Sequence, residues 1–216
     1  MEQAVLTETQ KTAIKTVGSE PKLSGFYLSG GTALSGYYLQ HRWSDDLDFF
    51  TDQKPDLVFL HSFIEKLKAT IGANSVRYER LNDRNIFFLQ TGREELKMEF
   101  SEYPFPQLEK SVVKDGIKID SLRDIAANKL MAMLDRFDPK DFVDLFFLLK
   151  GFKLDTIRKD VEKKFGIKVD DVFLGGELAK VKRVEALPKM IKKITAQELK
   201  DFFSQKAKEL ESKVIE

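Results

Sequence analysis

Two aspartates one residue apart, Asp46 and Asp48, sit in the run Asp46-Leu47-Asp48-Phe49-Phe50. In a β-strand, side chains alternate between faces, so both carboxylates share one face with Cα atoms about 6.6 Å apart, while Leu47 and Phe49 turn to the other. Carboxylates so spaced can share a divalent cation. An oxygen-only donor set suits Mg²⁺, which keeps waters and binds nucleotide phosphates. The same pattern also describes the polar face of an edge strand. Lys97-Met98-Glu99-Phe100 repeats the alternation, turning Leu96, Met98 and Phe100 to a core and setting Lys97 beside Glu99 on the opposite face. Glu99 is then either a third metal carboxylate or half of a solvated Lys/Glu pair. Upstream, Gly30-Gly31 opens a helical stretch, where unhindered backbone and free N–H groups can cradle phosphate.

Further charged residues fall where burial is expected. Lys129 lies three or four positions from Ile125, Ala126, Ala132 and Met133, on an apolar stripe, where an ammonium requires an anion, either a partner carboxylate or a bound phosphate. Asp124, in a Ser-x-x-Asp arrangement, reads equally as a helix-start residue and as a functional acid. In Asp138-Pro139-Lys140-Asp141, Asp138 is the expected N-cap and Pro139 the first helical residue, which gives Asp141 a place near the positive helix end. Asp144 shares the face of Asp141 with Phe147 and Leu148 one turn on. It is expected to be semi-buried and to pair with Lys129, Lys140 or Arg136.

These residues require elements to carry them. The patterning predicts a helix over 4–17, a strand over 25–29, the Gly30-Gly31 turn, a helix over 32–40, and a strand over 47–51. A helix over 57–69 and strands over 75–79, 85–90 and 95–101 follow. From Ser121 the pattern turns helical, near 121–135, 139–150, 154–165, 170–186 and 196–214, with the Pro-containing stretch 103–120 as the joint. The expected fold class is α+β, a mixed sheet with helices over 1–103 followed by a helical region over 104–216 that completes an active-site cleft.

Composition narrows the function classes. The 216 residues are 42% hydrophobic and 33% charged, with 18 Phe, which is the make-up of a folded globular chain. With no cysteine, disulfides and thiolate-bound zinc or iron–sulfur centres are excluded. No basic segment leads into an apolar one at the start and no run of about 18 apolar residues occurs, so a cytoplasmic location and no membrane partner are expected. The net charge is +1, with a basic excess after residue 150 and an acidic excess before it, a distribution that fits either a polyanion partner or lysine-rich solvated helices.

In order along the chain, Gly30-Gly31-Thr32-Ala33-Leu34, Arg42-x-Ser44-x-Asp46-Leu47-Asp48-Phe49-Phe50, Lys97-x-Glu99, Asp124-x₄-Lys129 and Arg136-x₃-Lys140-Asp141-x₂-Asp144-Leu145 resemble the AbiEii-type nucleotidyltransferase toxin family of the DNA polymerase beta-like superfamily. The segment from Ile194 to Phe203 resembles the family's closing segment, so nearly the whole chain is covered. The resemblance implies a nucleotidyltransferase-like fold and NTP-dependent nucleotide transfer, with Mg²⁺ as cofactor, NTP as substrate, RNA (tRNA among the candidates) or protein as acceptor, and a cognate antitoxin as partner. It makes Asp46 and Asp48 metal ligands, Glu99 the third acid, Lys129 the nucleotide-phosphate lysine and Asp141 a catalytic acid beside a structural Asp144. Gly30, Gly31, Thr32, Arg42, Ser44 and Lys97 fall in the same motifs and are assigned to nucleotide binding. Glu99 departs from the aspartate frequent at that position by one methylene, and the tail is compact for the family. A non-catalytic nucleotide- or antitoxin-binding protein of the same fold, and a helical interaction module, are the alternative readings.

Overall fold

The computed structural model describes residues 5–92 and 94–215, with side chains for 5–92 and 94–211. The chain forms two compact units. One comprises Met1–Tyr38, Ser44–Pro106 and Lys110–Ser121, and the other Leu39–Trp43, Gln107–Glu109 and Leu122–Glu216.

The first unit is built on a seven-stranded mixed sheet. Its strands are β1 (Tyr27–Ser29), β2 (Asp46–Thr51), β3 (Ser75–Leu81), β4 (Arg84–Gln90), β5 (Glu95–Glu102), β6 (Val112–Lys114) and β7 (Ile117–Ile119), in the order β3-β4-β5-β2-β1-β7-β6. β2 runs parallel to β5 and antiparallel to β1, and β1 runs parallel to β7. On one face Leu47, Phe49, Phe87, Leu89, Leu96, Met98 and Phe100 are sealed from solvent, with the Phe49 and Phe100 rings stacked 5.0 Å apart. Helices α1 (Glu8–Gly18) and α3 (Leu57–Ile71) contribute Ala13, Ile14 and Val17, and Leu60, Phe63, Ile64 and Leu67, to the core. Such apolar spacing makes one buried stripe on each helix. Thr7 and Gln10 close a capping box on α1, and Asp56 caps α3 by accepting from the Phe59 N–H. The expected start of α1 at residue 4 lies outside the described residues.

Two stretches depart from the sequence expectation here. The proposed joint at 103–120 contains the β6–β7 hairpin, whose Ile117 and Ile119 are buried and extend the sheet through β1. The helix expected over 32–40 is instead α2 (Gly30–Leu34) followed by a π-helical turn over Ser35–Leu39, and it ends where Gln40 takes a left-handed φ of 49°.

The second unit contains α4 (Leu122–Asp135), α5 (Pro139–Leu148), α6 (Leu154–Phe165), α7 (Asp171–Ala179) and α8 (Ala196–Ile215). Aromatic side chains join α5 to α8, with Phe142 against Phe203 at 5.3 Å and Phe146 against Phe202 at 5.0 Å. Asp138 caps α5 with Pro139 at its first position, as expected. The helix expected over 170–186 is shorter: α7 ends at Ala179, a 3₁₀ turn covers Lys180–Arg183, and Val184 is extended. Gly175 and Gly176 lower the helix propensity of this segment.

Candidate active site

The polar face of the sheet is set by strand register. Asp46 stands opposite Lys97 and Asp48 opposite Glu99 across the parallel β2–β5 pair, so all four side chains share one face. Asp46 is half-exposed and accepts from Lys97 Nζ at 3.0 Å. Thr32, expected at the nucleotide, donates its hydroxyl to the Asp46 carbonyl and so ties the turn after β1 to the start of β2. Gly30 has a φ of +70°, and a Cβ there would lie 2.2 Å from Asp48 Oδ2. Only glycine lets the backbone approach the carboxylate this closely in that conformation. The neighbouring Gly31 lies in the same short helix. The Ser44 carbonyl accepts from Gln10 Nε2 at 2.8 Å.

Glu99 is on the expected face but engaged in a different way. Its two carboxylate oxygens accept from Arg84 Nε at 2.7 Å and Nη2 at 2.5 Å, and the Ser101 hydroxyl adds a third bond at 2.7 Å. Among the described residues, no three His, Cys, Asp or Glu side chains are grouped as a metal ion would require. The Asp46 and Asp48 carboxylates are hard oxygen donors of the kind Mg²⁺ takes, beside a turn that a side chain on Gly30 would fill. Arg84, which spacing did not reveal, has its pKa raised, first by the hydrogen bonds to Glu99, against its partial burial, and further by the charges of Glu99, Asp48 and Asp46.

A second charged cluster lies inside the helical unit. Lys129 on α4 places Nζ 2.9 Å from Asp141 Oδ1 and 2.6 Å from Asp144 Oδ2, both on α5. Arg42 forks onto Asp144 through Nε at 2.6 Å and Nη2 at 2.8 Å, and gives Nη1 to the Trp43 carbonyl at 2.9 Å. His41 Nε2 lies 2.7 Å from Asp144 Oδ1, and Arg136 Nε lies 3.2 Å from Asp141 Oδ2. Of the three partners expected for Asp144, Lys129 is present, Arg136 pairs with Asp141 instead, and Arg42 and His41 are additions. Burial opposes ionisation of Asp144, but the Lys129 and Arg42 charges, with hydrogen bonds from Arg42 and His41, hold its carboxyl well below the usual range. Burial likewise opposes the Lys129 charge, and Asp144 and Asp141 override it to raise that pKa. Burial lowers the His41 pKa despite Asp144.

Asp124 serves neither reading alone. Its carboxylate accepts from the Leu108 and Glu109 backbone N–H groups and from Lys164 Nζ at 2.6 Å, fastening 107–109 and α6 to α4.

The fold is that of nucleotidyltransferases. Two solved Helicobacter pylori proteins share it, one with a TM-score of 0.63 at 23% identity over 96% of this chain and 97% of that one. The other, JHP933, has a TM-score of 0.62 at 25% identity over 99% and 94%. MenT4, a nucleotidyltransferase toxin of Mycobacterium tuberculosis, matches with a TM-score of 0.54 at 15% identity, over 95% and 86% of the two chains. In sequence, an uncharacterized protein of Aquifex aeolicus is 38% identical over 166 residues, 74% of this chain and 76% of that one. The family described as nucleotidyl transferase AbiEii toxin, type IV toxin–antitoxin system, matches residues 18–213. The chain belongs to this family and is a nucleotidyltransferase of the toxin class. No helix among the described residues is long and apolar enough to cross a membrane.

Proposed function

We propose that the polar sheet face binds an NTP with Mg²⁺ held by Asp46 and Asp48, and that a nucleotide passes from it to a hydroxyl of an RNA, tRNA among them, or of a protein. The observation that carries this reading is the paired projection of the two carboxylates from β2 beside Gly30. In the transfer, the acceptor oxygen bonds the α-phosphorus, the bond to the leaving pyrophosphate breaks, and the hydroxyl proton passes to solvent water. Bound Mg²⁺ would supply charge neutralisation at the phosphates. Lys97 balances the Asp46 charge until the ion binds, and the Thr32 hydroxyl holds the strand that carries both acids. Such preorganisation is the protein's principal contribution to phosphoryl chemistry.

By the family resemblance Lys129 would meet the nucleotide phosphate, Asp141 would act in catalysis and Arg42 would contact the nucleotide. Their mutual pairing supports a different task, holding α4, α5 and the 39–43 segment together, because the Lys129 ammonium already has two carboxylates and Arg42 a bidentate one. A cytoplasmic setting and a cognate antitoxin complete the proposal. Incubation with each labelled NTP, Mg²⁺ and either total RNA or total protein tests it: label is expected on one acceptor class and absent with Asp48→Ala. Mg²⁺-dependent NTP binding without transfer to any acceptor would establish the non-catalytic reading instead.

A further inference from the structure

The charge pattern of the sheet face separates Glu99 from the aspartate pair. Glu99 is almost fully buried, with a side chain 4% exposed, and both its oxygens are taken by the Arg84 fork and Ser101. To ligate a metal, it would have to give up three short hydrogen bonds from inside the fold. A planar guanidinium bound bidentately is fixed in orientation as well as paired. Arg84, however, is 42% exposed. Two of its five N–H donors serve Glu99, which leaves the outer edge of the guanidinium facing solvent. Its position is set by register, since Arg84 stands opposite Ser101 and Ile86 opposite Glu99 on the adjoining β5. Its side chain therefore emerges on the face of Asp46, Asp48 and Lys97. With a divalent cation on the aspartate pair, Asp46, Asp48, Lys97, Glu99 and Arg84 together with the ion carry a net charge of +1, which suits a polyanion.

We propose that Arg84 is a phosphate-binding residue for the polyphosphate of the nucleotide, and that Glu99 is the positioning residue that aims it rather than a third metal ligand. This deepens the nucleotide-binding reading above and rests on it. The fork presents the remaining N–H groups at a fixed angle, the geometry in which arginine best matches phosphate oxygens. It also explains why glutamate serves here: the residue must span the gap between strands to Arg84 while its backbone stays in register with Asp48.

The test separates metal from anion binding by calorimetry, using Mn²⁺ alone as one probe and inorganic tripolyphosphate in saturating Mg²⁺ as the other. Glu99→Gln is expected to bind Mn²⁺ as the wild type does, whereas Asp48→Asn loses it. Arg84→Gln is expected to bind tripolyphosphate about ten- to a hundred-fold more weakly, the loss of one or two charge-assisted hydrogen bonds, with Arg84→Lys recovering only part. In amide-detected NMR, the Arg84 Nε–H signal should shift when tripolyphosphate is added to the wild type and be lost to solvent exchange in Glu99→Gln. Should Arg84→Gln strand the buried Glu99 and unfold, the double variant Arg84→Gln/Glu99→Gln removes both charges and carries the same tripolyphosphate measurement. Weakened Mn²⁺ binding in Glu99→Gln to the extent seen in Asp48→Asn, or wild-type tripolyphosphate affinity without Arg84, overturns the proposal. Wild-type Mn²⁺ affinity in Asp48→Asn would overturn the aspartate metal site instead, with the role of Arg84 still decided by tripolyphosphate.

Discussion

Replacing Asp144 with alanine isolates the helical unit's charge cluster. The carboxylate is fully buried and accepts from Lys129 at 2.6 Å, from Arg42 at 2.6 and 2.8 Å, and from His41 at 2.7 Å. Without it, Lys129 keeps Asp141, but Arg42, 2% exposed, loses both arms of its fork and retains among those bonds only the Trp43 carbonyl. Removing one partner of a buried pair leaves the other's charge less compensated and costs about 3–5 kcal/mol, far more than the pair's net worth against an apolar replacement. For a chain of this size that is a fall in melting temperature of roughly 6–20 °C. Asp144→Asn, which keeps the shape and one acceptor, should fall between alanine and wild type. Thermal melts followed by circular dichroism decide the matter. A melting temperature within about 2 °C of wild type for Asp144→Ala would refute the claim that this carboxylate holds the cluster together.

Other outcomes follow from the same geometry. Folding depresses the His41 pKa, chiefly through burial, so the unfolded chain binds the extra proton. The corresponding stability is complete above the ordinary value of 6.5 and is lost as pH falls through the folded value, and melts from pH 7.5 to 5 should show this slope in the wild type and not in His41→Gln. Asp48→Ala should abolish Mg²⁺-dependent label transfer while shifting the melting temperature little, since a carboxylate pair repels itself without metal; an active variant, or an unfolded one, contradicts the metal assignment. Gly30→Ala meets both a positive φ and the Asp48 carboxylate, and should cost at least about 1 kcal/mol in melts and lose transfer with it.

Legibility in the sequence followed the range of the interaction. Asp46 and Asp48, or Lys97 and Glu99, share a face because alternation is a property of one strand, and residue spacing reports it directly. The N-cap at Asp138 and the burial of Lys129 and Asp144 were readable for the same reason, as one-turn relations on single helices. Arg84 was not, because its tie to Glu99 depends on the register of β4 against β5. The His41 and Arg42 bonds to Asp144 join residues 103 and 102 positions apart, a distance at which local pattern carries no partner information. The β6–β7 hairpin leaves no mark in the sequence pattern because three-residue strands are too short to show a period, and their place in the sheet comes from pairing with β1.

The two charge systems differ in the one property that separates chemistry from scaffolding. Asp46 is 41% exposed and Asp144 is fully buried, though each has a lysine within 3.0 Å. Near water the Asp46–Lys97 attraction is weak, of the size measured for surface pairs, so a cation from solution can replace the lysine at small cost. Inside the helical unit the same attraction is several-fold stronger and no solvent stands ready to take over either charge. A carboxylate that must exchange partners during a reaction belongs in the first setting, and one that must never let go belongs in the second. That contrast, rather than the number of acids, is what supports the proposal of metal-dependent chemistry on the β2 face and of a holding role for the α4–α5 cluster.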